Sequence, residues 1–226
     1  MLLSHRARTA QEGYMKHTIP ALIVLFLAFA SRPAAAQDVN AAKEIAVGAQ
    51  KEAREAAGKE EAEVLGEAKK YIDLLKSAQP AQAMEAYWDF DAMLSAIFEK
   101  DLDKHTPAQR EEMKKLLINL VNGVYQDPRI VQAMKDSRVE DLKSDPPKDG
   151  VTVVRFNVIL GEATLPNVLH FRKKGNAWRV IDGGVNNNLL VPAFRKGFSS
   201  VRGKLTPLDF VREVAKPRQR PQQQPE

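Results

Sequence analysis

Cysteine is absent from the 226 residues. That excludes a disulfide scaffold, a thiolate zinc site, an iron–sulfur cluster, a thiol nucleophile and a Cys-anchored lipoprotein. Histidine is scarce, limited to His5, His17, His105 and His170. No two of these stand at metal-ligand spacing, so no metal site is expected. A glycine-rich phosphate loop is missing too: Gly183-Gly184 opens onto Val185 and Asn186, not onto a helix start with Lys and Ser. There is no Gly-x-Ser-x-Gly elbow. A Ser–His–Asp triad stays open, because its members need not be neighbours, but nothing raises one serine above the others. No cofactor is implied. The longest apolar stretch, Ile19 to Ala30, is broken by Pro20. It falls short of the roughly 20 residues of a membrane span.

What is present has globular composition, 44% hydrophobic and 28% charged. The net charge of +5 overstates the basic character. Four basic residues (Arg6, Arg8, Lys16, Arg32) and one acid (Glu12) precede residue 37, leaving 30 basic and 28 acidic residues, a net of +2. Nucleic acid is therefore not an implied partner.

Lys16 and His17, the apolar stretch, the polar Ser31-Arg32-Pro33 and then Ala34-Ala35-Ala36 have the order of a secretory signal peptide. Cleavage is expected after Ala36, with Met15 a better initiator than Met1. A bacterial periplasm is the compartment this implies.

Residues 37–63 are rich in Ala, Glu and Lys and read as a weak surface helix or a loose arm. From Val64 the spacing predicts a helix, with Val64, Leu65, Ala68, Ile72 and Leu75 on one face. Pro80 restarts the chain, and Met84, Tyr87 and Trp88 extend the apolar face. Phe90, Met93, Leu94, Ile97 and Phe98 form a further helical stripe. Thr106-Pro107-Ala108-Gln109 has the pattern of a capping box with Pro at the first helical position. The helix after it points Met113, Leu116, Leu117, Leu120, Val121 and Val124 inward. Asp127-Pro128 opens a short helix through Met134.

After Ser137 the period falls to two. Arg138–Ser144 reads as a weak strand, with Val139, Asp141 and Lys143 alternating with Arg138, Glu140 and Leu142. Val151–Leu160 is the clearest strand, carrying Val154, Phe156, Val158 and Leu160 on one face. Gly161–Thr164 turns it into Leu165–Lys173. Lys174-Gly175-Asn176 turns into Ala177–Asp182, and Gly183–Asn188 reads as a loop. Leu190, Phe194, Phe198 and Val201 mark a helix, and Thr206-Pro207 caps a last short one. The fold class is α+β: amphipathic N-terminal helices packed on a four-stranded antiparallel meander and closed by C-terminal helices, over residues 64–215. Residues 216–226 are too polar to fold.

One carboxylate has two readings. Asp182 ends an apolar strand, where a raised pKa would suit a general base. As the residue before Gly183-Gly184 it also suits a backbone-bonding turn aspartate, and this is the favoured role.

Phe90-Asp91-Ala92-Met93-Leu94 and Thr106-Pro107-Ala108-Gln109-Arg110-Glu111-Glu112-Met113 resemble the helical half of the MlaC-type periplasmic phospholipid carriers, the toluene-tolerance auxiliary proteins. Trp178-Arg179-Val180-Ile181-Asp182-Gly183-Gly184-Val185, then Leu189-Leu190 and Phe194-Arg195-Lys196-Gly197-Phe198, are similar to their strand-to-helix segment. The resemblance implies a fold related to the nuclear-transport-factor-2-like and cystatin-like cones. It also implies a soluble, non-enzymatic shuttle of phospholipid between an outer-membrane lipoprotein complex and an inner-membrane ABC transporter complex. On that reading the apolar slot is walled by Leu94, Ile97, Phe98, Leu117, Leu120, Val121, Val154, Phe156, Val158, Leu169, Phe171 and Val180. Two alternatives stand beside it. One is a cone-fold isomerase or dehydratase with Asp182 as base. The other is a ligand-free periplasmic interaction domain whose core is fully packed.

Overall fold

The structure, a computed structural model, describes residues 38–77, 79–125 and 127–216. The expected signal peptide and residues 217–226 of the expected tail lie outside the described residues. The chain divides into two units, residues 1–54 and 55–226. The described part of the first is helical, and the packing described below belongs to the second.

Helix α1 spans Asp38–Lys76, so the Ala/Glu/Lys-rich stretch is helical from Asp38 onward and is exposed over 46–63. Burial begins where the apolar spacing does: Val64, Ala68, Tyr71, Ile72 and Leu75 are all in the core. Pro80 starts α2 (Pro80–Tyr87), and Asp89 caps α3 (Phe90–Phe98) by accepting from the Ala92 N–H at 3.1 Å. A 3-10 turn (Glu99–Lys104) leads to α4 (Pro107–Tyr125). The capping box is formed: Gln109 N–H donates to Thr106 Oγ1 and Thr106 N–H to Gln109 Oε1. Asp127 caps α5 (Pro128–Asp136).

The sheet has five antiparallel strands in sequential order, β1 (Arg138–Ser144), β2 (Val151–Leu160), β3 (Ala163–Lys174), β4 (Ala177–Val185) and β5 (Asn188–Leu189). Helices α6 (Leu190–Val201) and α7 (Pro207–Ala215) follow. In β2, Thr152, Val154, Phe156 and Val158 are buried while every alternate residue is half-buried. One face therefore meets the helices.

Four local expectations are corrected. The meander has five strands, not four. Asn186 and Asn187 both take positive φ, 51° and 62°, and fold a two-residue hairpin turn where a loop was expected. Gly184 makes this possible, since a Cβ there would lie 2.2 Å from the Asn188 carbonyl oxygen. Strand β3 begins at Ala163, because Gly161-Glu162 alone closes the β2–β3 turn with Gly161 at φ 60°. In β1 the simple alternation fails. A bulge between Glu140 and Lys143, with Asp141 at φ 55°, re-phases the strand. Val139 and Leu142 consequently both pack on the core.

Candidate functional site: the apolar seam between sheet and helices

The twelve residues expected to wall a slot come from five elements: α3, α4, β2, β3 and β4. The fold brings all of them into one apolar cluster. Register explains the sheet half. Val154 faces Leu169 across β2–β3, and Phe171 faces Val180 across β3–β4, so these side chains share one face. On the helical half, Leu94, Ile97 and Phe98 recur at helical spacing on α3, as do Leu117, Leu120 and Val121 on α4. Eleven of the twelve are at most 8% exposed, and Leu120 is half-buried. The seam is closed at this point.

The two ends of the seam differ. Between α3, α6 and α7, Phe98, Phe194, Phe198 and Phe210 pack edge to face, with Phe98 and Phe198 centroids 5.0 Å apart. Gly197 lets Phe210 approach: a Cβ there would lie 3.2 Å from the ring. Gly183 sits against Leu169 and Trp88 in the same way. At the other end, α5 has no buried residue and neither has β1.

Asp182 is 6% exposed and serves the fold on two sides. One oxygen accepts from the Gly183 N–H at 2.8 Å, as expected of a turn aspartate. The same oxygen accepts from the Val191 N–H at 3.0 Å, which caps the start of α6. Leu189, the residue at the cap position, has no side chain able to do this. Burial pushes the Asp182 carboxyl up, opposed by those N–H groups and by His170. His170 pairs with Asp182 across β3–β4. Burial pushes its imidazole down, opposed by Asp182 and reinforced by Arg155. Sequence spacing conceals this pair, because a bulge between His170 and Phe171 places Asp182, not Ile181, opposite His170.

Three surface clefts, of about 550, 500 and 330 Å³, contain none of the twelve wall residues. The largest lies where the 3-10 turn, α6 and α7 meet, around Asp101, Arg202 and Lys204. Asp101 there holds Lys104 and Arg202 at 2.7 Å each. Among the described residues no group of three or more His, Asp or Glu is placed to hold a metal ion. No described helix is long and apolar enough to cross a membrane.

The family model for the MlaC protein matches residues 46–207. Six solved chains match the fold. One is a phospholipid-binding protein from Ralstonia solanacearum in complex with a phospholipid. It has a TM-score of 0.55 and 17% sequence identity, and the match covers 69% of this chain and 96% of that one. No curated protein matches the chain.

Proposed function

The chain belongs to the MlaC family, and on that premise we propose that it is a phospholipid carrier that seats acyl chains between the sheet and helices α3 and α4. The observation that carries the reading is the single apolar cluster joining both layers. It occurs in a fold shared with a protein solved around a phospholipid. Burying an acyl chain is worth about 0.8 kcal/mol per methylene. A 16-carbon chain thus gains on the order of 12 kcal/mol before ordering costs. No covalent step is needed for retention.

The polar residues support a carrier over an enzyme. Asp182, the one candidate base, has its buried oxygen occupied by two backbone N–H groups. The signal-peptide pattern supports export to the periplasm. There the carrier would pass lipid between an outer-membrane lipoprotein complex and an inner-membrane ABC transporter complex, in a cone related to the nuclear-transport-factor-2-like and cystatin-like folds. A ligand-free interaction domain is the second reading, favoured by the tight burial of eleven of the twelve seam residues.

Solvent extraction and mass spectrometry of protein purified without detergent separate the two. Phospholipid at near-stoichiometric amounts is expected. Lipid-free extracts from repeated preparations would leave the packed interaction domain standing.

A further inference from the structure

The carrier reading requires the closed seam to open somewhere, and packing is uneven along it. Helix α5 carries Ile130, Val131 and Met134, all half-buried, and buries none of its residues fully. Strand β1, which follows directly, buries none either. The apolar side chains of the neighbouring elements are likewise incompletely covered: Leu120 of α4, Met134 of α5, Val139 and Leu142 of β1, Leu160 of β2 and Leu165 of β3 all pack on the core while staying partly exposed. Val139 and Leu165 flank Val158, a wall residue, on its two neighbouring strands. The half-exposed set is therefore continuous with the buried seam.

Attachment of this corner is also slight. The junction residue Ser137 is 3% exposed. Its hydroxyl donates to the Met134 carbonyl at 2.6 Å, and its own carbonyl accepts from Lys76 Nζ of α1 at 2.7 Å. This pins the foot of α5, while the helix above it rests on half-buried side chains. The β1–β2 ladder is interrupted just beyond, at the bulge between Glu140 and Lys143. Regions with few fully buried contacts open at the lowest free-energy cost.

We propose that α5 is the door of the carrier: phospholipid acyl chains enter and leave between α5 and the β1–β2 edge, passing under Met134 towards Val158, with Ser137 as the hinge. The proposal rests on the carrier reading and adds the route to it. A charge on this path meets hydrocarbon, whereas the same charge at the aromatic end does not.

The experiment compares Met134→Asp with Val214→Asp. Val214 is likewise a partly buried apolar residue, on α7. Each is loaded from vesicles of phosphatidylethanolamine and phosphatidylglycerol, beside the wild type. Met134→Asp is expected to lower the loading rate at least about tenfold, with Val214→Asp near wild type. Equal effects of both, or of neither, overturn the door while leaving the carrier reading intact. A wild type that takes up no lipid overturns the reading itself. Should Met134→Asp fold poorly, Met134→Cys provides the only thiol in a cysteine-free chain. Lipid loading is expected to slow its modification by a maleimide, whereas Val214→Cys reacts at one rate with or without lipid. Identical protection at both positions overturns the door.

Discussion

At the α3–α6–α7 end of the seam four phenylalanines interlock and Gly197 lets the Phe210 ring come close; at the α5–β1 end the apolar side chains touch the core but none of those on α5 or β1 is fully covered. Both ends are hydrophobic, so composition does not distinguish them. The difference lies in how many elements close over each. Phe98 is enclosed by helices from two distant parts of the chain. Met134 lies on a nine-residue helix joined to β1 through Ser137 alone. The proposed carrier would use both kinds of end: one that fixes the angle between sheet and helices, and one that opens at lower cost.

The largest contrast should come from truncating the fixed end. Phe98→Ala is expected to destabilise the protein by about 3–5 kcal/mol, since it removes a fully buried ring and leaves a cavity among three others. Chemical denaturation measures this. A cost as small as that of Met134→Ala would show the two ends to be equally loose. Next comes Gly184→Ala. Its Cβ has no room beside the Asn188 carbonyl, and a loss of about 1–3 kcal/mol is expected as β5 is pushed off. Met134→Ala should cost about 1 kcal/mol or less, because the side chain is only half-covered. Hydrogen exchange should rank the ends in the same order, with α5 amides exchanging through cheap local opening and those of α3 and β4 through far rarer events.

The smallest effect sharpens the comparison at β3–β4. The His170 pKa is held below its ordinary 6.5 by burial, against Asp182 and together with Arg155. The unfolded chain therefore binds the proton more readily, and stability falls as pH drops through that ordinary value towards the folded one. His170→Gln should flatten the fall in melting temperature between pH 8 and about 5.5. An unchanged slope would mean that His170 is solvated like a free imidazole.

Much of the architecture was legible because it is written in local chemistry. Thr106 with Gln109, Thr206, Asp127-Pro128 and Pro80 mark helix starts by supplying or sparing hydrogen bonds at residues they themselves occupy. The period of two in Val151–Leu160 sorts its faces whatever the partner strand. The twelve seam residues were readable in the same way, as the apolar phase of helices and strands that must bury it.

What the sequence determined by itself was the order of the longer elements, the caps made by residues at the helix starts and which face of each is apolar, because these follow from side chains within a few residues of one another. Tertiary structure alone decided the β1 bulge, the fifth strand, Asp182 as the cap of a helix that begins eight residues later, and which end of the seam is closed. Each of these depends on how closely two distant stretches of backbone approach, and periodicity along one stretch carries no measure of that distance.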